Sequence, residues 1–358
     1  MRIHLITPAK RGSRAGNRAT AVRWAAHLRA LGHRVTVATD YAGDPGDAMI
    51  ALHAWRSARA IQKFARLYPG RPLIVALTGT DIHRFQYSHP QPTLRSMALA
   101  DALITLHGEV AAHIPKKFRK KISIVHQSAL PLARERKPLP RSIVRSARAS
   151  PRFEICVIGH LRMEKDPLRA AYAARLLSRA SRARVTQLGQ AVGPDWERAA
   201  KKEAGKNSRY RWLGEVSHAR VRQVMGRSRV MVISSVMEGG ANVVSEACVA
   251  GLPVIASRIP GNVGLLGRDY PGYFPVKDTP ALARLLRRVE TNPEFLARLA
   301  RRVKARARLF RSSRERTMLQ AALARAVGAA KARSGSDRDV RSAPRPARSL
   351  RRGCSRRP

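Results

Sequence analysis

Residues 230–246 read VMVISSVMEGGANVVSE. The run that begins at Val230 is apolar and rich in β-branched residues, the pattern of a strand buried on both faces, and it ends near Ser234. Gly239 and Gly240 then break the chain, and a helical pattern starts at Asn242. A strand that passes through a glycine loop into a helix is the repeating step of a parallel sheet, because parallel neighbours need a crossover connection. An α/β fold is therefore predicted.

The same stretch carries chemistry. Backbone N–H groups at such a loop and helix start have no intrahelical acceptor and face the positive end of the helix dipole, so Gly239, Gly240, Ala241 and Asn242 can hold a diphosphate. Glu246 falls one turn into the helix, and its side chain leans back toward the N-terminus, where it can accept hydrogen bonds from ribose hydroxyls. Glu238, in the loop, is placed for sugar hydroxyls. The plainer alternative is a tight strand-to-helix turn whose glutamates are solvated or capping. A second loop, GHLRMEKDP at 159–167, follows the strand predicted over 153–159 and would open at the same sheet edge. Arg162 offers a planar fork for phosphate and Lys165 a compact charge. Asp166 and Pro167 read as N-cap and first residue of a helix that shows Leu168, Ala171, Tyr172 and Leu176 on one face.

Outward from this unit, strands are predicted over 3–7, 34–39, 48–53, 73–78, 102–106 and 122–126, with a helix over 19–31 and another ending at 67. The segment PLARERKPLPRSIVRSARASPR at 131–152 is rich in proline and arginine and suits an exposed connection. The division is an N-terminal domain at 1–132, a linker at 133–152, a C-terminal domain at 153–330 whose last helices can pack back on the first, and a disordered basic tail at 331–358. The loop KRGSRAGNR at 10–18 sets cations and glycines before a helix, which suits an anion pocket as well as it suits a solvated loop.

The chain has 358 residues, enough for two or three domains of about 150 residues. With 44% hydrophobic and 26% charged residues it is globular in composition, which excludes a disulfide mini-domain or a low-complexity polymer. Cys156, Cys248 and Cys354 are too scattered for a disulfide frame or a zinc pair, and the first two suit buried thiols. His107, His113 and His126 lack ligand spacing, so no metal is expected. The N-terminal apolar stretch is too short for a secretory core and no run is long enough to span a bilayer, so a soluble, cytoplasmic protein is expected. The formal charge is +47, yet no helix-turn-helix, RNA-binding or finger signature organises the basic residues. Contact with nucleic acid is expected to be non-specific only.

These residues resemble the GT-B glycosyltransferases of the family-four type, which bind a nucleotide sugar through an E-x7-E motif and a GR-x-x-x-E-K-like loop. The resemblance covers roughly residues 1–310. Glu238, Glu246, Glu164 and Lys165 match that pattern, whereas the usual arginine after the glycine is His160, and Arg162 stands two positions on. Further phrases, TPAKRGSRAGNRATA at 7–21, GTD at 79–81, HQSA at 126–129, RYRWLGE at 209–215 and IPGNVGLLGRDYPGYFPV at 259–276, are similar to the selenosugar synthases of selenoneine biosynthesis. The resemblance implies two Rossmann-like domains facing across a cleft, and a reaction that joins selenium from selenophosphate to the anomeric carbon of a UDP-sugar, notably UDP-N-acetylglucosamine.

On that basis Arg162, Lys165 and Glu238 are the catalytic candidates, and Gly239 to Asn242 with Glu246 hold the nucleotide sugar. Selenophosphate is assigned to the loop residues Gly12, Ser13, Arg14, Gly16, Asn17 and Arg18, with Thr78, Asp81, Gln127 and Ser128 beside them. No metal or other cofactor is implied, and the product would be handed to the next enzyme of the pathway. Related enzymes that act on alcohols often carry histidine in an HG-x-D phrase. Here it reads Thr78-Gly79-Thr80-Asp81, which suits an anion that needs cations and orientation more than a base. The alternatives are a conventional family-four transferase acting on an alcohol, lipid or glycan, a UDP-sugar epimerase, and a basic nucleic-acid-binding protein that keeps an inactive transferase fold.

Overall fold

The computed structural model describes residues 1–132 and 152–342; apart from Arg152, the expected linker lies outside the described residues, as does 343–358. The first sheet contains β1 (Arg2–Ile6), β2 (Arg34–Ala38), β3 (Ala48–Leu52), β4 (Leu73–Leu77), β5 (Ala102–Thr105) and β6 (Ile122–Ile124). Its order is β2-β1-β3-β4-β5-β6, with every pair parallel. The crossovers carry α1 (Gly16–Ala30), α2 (Ala58–Leu67), the short α3 (Gln86–Ser88) and α4 (Pro90–Leu99). Every residue of β3 (AMIAL) and β4 (LIVAL) is buried, as unbroken apolar runs at the centre of a helix-covered sheet require.

The second sheet contains β7 (Phe153–Ile158), β8 (Ala183–Leu188), β9 (Tyr210–Trp212), β10 (Val230–Ile233), β11 (Val254–Ser257) and β12 (Tyr273–Phe274), in the order β12-β11-β10-β7-β8-β9 and again all parallel. Its helices are α5 (Arg169–Arg175), α6 (Pro194–Lys206), α7 (His218–Arg227), α8 (Asn242–Val249), α9 (Pro260–Leu266), α10 (Thr279–Thr291) and α11 (Pro293–Arg306). The last helix, α12 (Ser312–Ser342), returns to the first sheet: Leu319, Ala322, Leu323 and Ala326 are buried there with Trp24 and Leu28.

Each sheet reverses its winding once, at β1/β3 in the first and at β7/β10 in the second. Ligands of open parallel sheets bind outside the carboxyl ends of strands at such a point, where neighbouring loops part. Four loops therefore matter, those that follow β1, β3, β7 and β10.

Three expectations need correction. The predicted cap at Asp166 does not form. Residues Met163–Lys165 make a single 3-10 turn, Asp166 takes a left-handed conformation at φ 44°, and α5 starts only at Arg169, whose guanidinium binds the Asp166 carboxylate at 2.8 Å. The buried face of α5 is alanine, from Ala170, Ala171, Ala173 and Ala174, while Leu176 is exposed. Second, α1 begins at Gly16, ahead of the predicted start, so Gly16, Asn17 and Arg18 form its first turn and are not loop. Third, the chain does not leave the fold at 331. The helix continues to Ser342, and the Arg333 guanidinium pairs with the nearly buried Asp101 carboxylate and reaches the Pro69 carbonyl at 2.9 Å. Composition suggested a tail because it does not register a basic residue that meets a buried acid.

Candidate active site

These four loops, together with those after β4, β6 and β9, line one cavity of about 980 Å³ between the two domains. Two helices aim their N-termini into it. Both α1 and α8 have alanine at the N-cap, Ala15 and Ala241, with no side-chain cap, whereas Ser217, Asp278 and Asn292 cap α7, α10 and α11. First-turn amides left without a side-chain acceptor stay available to an anion. The two N-termini meet: a Cβ on Gly16 would lie 3.6 Å from Asn242 Nδ2, and Arg23 of α1 donates to Asn242 Oδ1 at 3.2 Å.

Gly239, Gly240, Ala241, Asn242 and Glu246 all line the cavity. Glycine is required at 239 because the domains touch there: an added Cβ would sit 2.2 Å from the Thr78 carbonyl carbon. Gly240 has φ 137°, a conformation open to glycine, and an added Cβ would strike Leu106 at 2.6 Å. Glu246 Oε1 lies 3.7 Å from His218 Nε2 at the start of α7, and the neighbouring Glu246 carboxylate raises the His218 pKa above its ordinary value.

The catalytic candidates converge, with an internal pairing that linear order does not show. Lys165 Nζ binds the Glu238 carboxylate, which also accepts from Ser235 Oγ at 2.6 Å. Arg162 lines the cavity with Nε 3.8 Å from Glu164, and Glu164 also faces Arg84 of the other domain at 3.6 Å. His160, at the position of the usual arginine, lines the wall, but burial lowers its pKa and it brings no cation at neutral pH.

The acceptor candidates divide. Ser13, Arg14, Gly16, Asn17, Thr78, Gln127 and Ser128 line the cavity, whereas Gly12, Arg18 and Asp81 are not part of its wall. Asp81 is fully buried, where its carboxylate accepts backbone N–H groups of Ala54, Thr78, Gly79 and Ile82 at 2.7–3.1 Å. It shapes the loop and does not face a ligand. Arg14 crosses the cleft, donating to the Val216 carbonyl at 2.8 Å and lying 3.6 Å from Glu215. Gln127 donates to Thr20 Oγ1, and Ser128 gives both its N–H and its hydroxyl to buried Glu315.

Sequence reasoning missed His53, Thr80, Arg56, Arg23, Arg222 and His218, all of them in the wall. A signal for His53 existed: it directly follows β3, the strand at the winding reversal of the first sheet. Among the described residues no group of three or more histidines, cysteines, aspartates or glutamates is arranged to hold a metal. None of the described helices is long and apolar enough to cross a membrane.

Residues 141–307 match the family Glycosyl transferases group 1. The glycosyltransferase 1 domain-containing protein 1 of Xenopus tropicalis is 24% identical over 311 residues, which cover 81% of this chain and 88% of the relative. Among solved structures, Anabaena HepE, crystallised with UDP and glucose, superposes with a TM-score of 0.69 at 15% identity, over 90% of this chain and 99% of that one. Sucrose-phosphate synthase from Thermosynechococcus elongatus gives 0.67 at 15% identity, over 96% of this chain and all of the other. The two parallel-sheet domains have the GT-B arrangement, and the second carries the group 1 glycosyltransferase match.

Proposed function

We propose that the chain is a UDP-sugar-dependent glycosyltransferase that joins selenium from selenophosphate to the anomeric carbon of UDP-N-acetylglucosamine. The observation that carries the donor half is the uncapped N-terminus of α8 opening into the inter-domain cavity, with Glu246 one turn behind it. In this reading Glu246 accepts the ribose hydroxyls, and the amides of Gly239 to Asn242 hold the diphosphate. Arg162 adds the charge that the departing diphosphate needs as the glycosidic bond breaks. Lys165 leaves or shares its Glu238 partner to join Arg162, and Glu238 turns to the sugar hydroxyls. Protein cations and amides then neutralise the leaving group, with no metal assigned to the step.

The acceptor half is supported by Lys10, Arg14, Arg23 and Arg56, which line the same cavity as the uncapped α1 N-terminus. Such a wall holds a small anion and orients it. Selenium uses a lone pair to form the C–Se bond while the C–O bond electrons leave with UDP, and water later splits the P–Se bond to release phosphate. Transfer to an alcohol instead would require a base, and His53, which lines the cavity just past β3, is the histidine available in place of the one missing at position 78. Incubation of the full chain with UDP-N-acetylglucosamine and selenophosphate, followed by mass spectrometry, separates the two. Selenium in a sugar product supports the proposal; transfer only to added alcohols overturns it in favour of the conventional reaction.

A further inference from the structure

We propose that Thr80, oriented by His53, is the acceptor-recognition group of this site: its hydroxyl donates a hydrogen bond to an anionic acceptor, and Arg56 lines the same cavity. This rests on the reading that assigns the N-terminal wall to the acceptor. It begins from an unusual backbone. His53 has φ 77°, in a region that non-glycine residues seldom occupy and that is kept where surrounding structure enforces it. The enforcement is visible. His53 N–H donates to the Ala76 carbonyl at 2.8 Å, the residue is 2% exposed, and its ring lies 5.6 Å from the Phe85 ring and 6.4 Å from that of Trp55.

The hydrogen bonds of the imidazole then fix where its proton sits. Nδ1 accepts the Arg56 backbone N–H at 3.1 Å, so it carries no hydrogen, and the one N–H of the neutral ring is on Nε2. Burial lowers the His53 pKa, in keeping with a neutral ring. Nε2 lies 2.8 Å from Thr80 Oγ1 and donates to it. Thr80 oxygen is thereby an acceptor on one side, and its own hydrogen is left for a partner in the cavity that the residue lines. An O–H whose oxygen already accepts a hydrogen bond is polarised and donates more strongly.

The direction of this chain selects the acceptor class. An alcohol nucleophile brings a proton and needs a base, but Nδ1 is occupied and Nε2 is already protonated. An anion brings lone pairs and no proton to lose, which is what an aimed O–H and a cationic residue lining the same cavity recognise. The place is also apt. Thr80 adjoins Gly79, whose backbone packs on Glu238 and Gly239 of the other domain, so the donor hydroxyl stands where the two halves of the site touch.

Three full-length variants test this: Thr80→Val, which keeps shape and loses the hydroxyl; Thr80→Ser, which keeps the hydroxyl; and His53→Asn, since asparagine tolerates positive φ but is too short to reach Thr80. Calorimetry would measure binding of thiophosphate and, separately, of UDP, and steady-state assays would give KM and kcat with selenophosphate. Thr80→Val and His53→Asn should raise the thiophosphate Kd and the selenophosphate KM by about tenfold or more, with UDP binding unchanged and Thr80→Ser near wild type. Unchanged thiophosphate affinity in folded Thr80→Val, or a Thr80→Ser variant no better than Thr80→Val, would overturn the proposal even if selenium transfer is confirmed. If wild type transfers no selenium yet binds thiophosphate through Thr80, the recognition stands and the transfer reaction falls. Abolished transfer to an alcohol in His53→Asn, with thiophosphate binding intact, would make His53 a base and overturn it.

Discussion

Single side chains decide the chemistry of the cleft. Glu246 is held at the start of α8 beside His218, and a charge-assisted hydrogen bond of the kind it would give a ribose is worth about 1.5–3 kcal/mol. Glu246→Gln should weaken UDP binding by about 10- to 100-fold, measured by calorimetry, with the thermal transition unchanged; wild-type affinity in a folded variant would remove Glu246 from the site. In the proposed reaction Arg162, which lines the cavity, would act as negative charge builds on the leaving diphosphate. Arg162→Ala should lower kcat by about 10²-fold while UDP affinity changes far less, and chelator should leave the wild-type rate unaltered. A chelator-sensitive rate, restored by a divalent cation, would assign that charge to a metal instead.

At the scale of elements, one buried carboxylate ties three of them together. Glu315, at the start of α12, accepts from Arg23 Nε at 2.8 Å, Trp24 Nε1 at 2.8 Å and His27 Nε2 at 3.2 Å on α1, and from the backbone N–H of Ser128, beyond β6, at 3.0 Å. Burial would raise its pKa, but His27, Arg23 and Ser128 outweigh burial and hold it at about 2, below the ordinary 4.5. A carboxylate with a depressed folded-state pKa adds stability above its unfolded value and loses it as pH falls toward the folded one. Glu315→Gln should therefore cost about 3 kcal/mol at neutral pH, and the gap from wild type should close as pH falls from 4.5 toward 2. Denaturant titrations across that range would check it; a gap independent of pH would mean that packing, not charge, is what the substitution removes. Because Arg23 also reaches Asn242, the same variant should loosen α1 from α8.

Across the whole molecule, the proposed reaction would depend on how closely two separately cored domains approach. Their contact at Thr78 and Gly239 is backbone against backbone, so no side chain can move aside. Gly239→Ala should leave each core intact and wedge the domains apart, lowering turnover by about 10²-fold, since small displacements of reacting groups carry costs of that order. Small-angle scattering with and without UDP, beside the rate, would register the wedge; full activity would show that the contact is not kept during turnover. Acid should act on the whole fold too. Burial pushes His107 and His126 down to about 4, so folding binds fewer protons than the unfolded chain and stability should decline as pH falls below 6.5.

Much of this was legible in the chain itself. Apolar runs of four to six residues broken by glycine and helical patterns specify parallel sheets, and the E-x7-E spacing places Glu238 before and Glu246 inside one helix start, because helix periodicity is local. Local signals also located the basic loops after β1 and β7. They did not show that Asp81, four residues past the end of β4, turns inward to collect four amides, since burial is set by neighbours far away in sequence. Nor did they show that Lys165 meets Glu238 across 73 residues, or that Glu315 binds Arg23 across 292. The histidine looked for beside Thr78 is absent from that phrase, and His53 reaches Thr80 only because β3 and β4 lie side by side. Sequence alone settled which residues can make strands, turns and charges; tertiary structure decided which charges face each other and which face the cavity, because Coulomb and hydrogen-bond energies depend on distance in space.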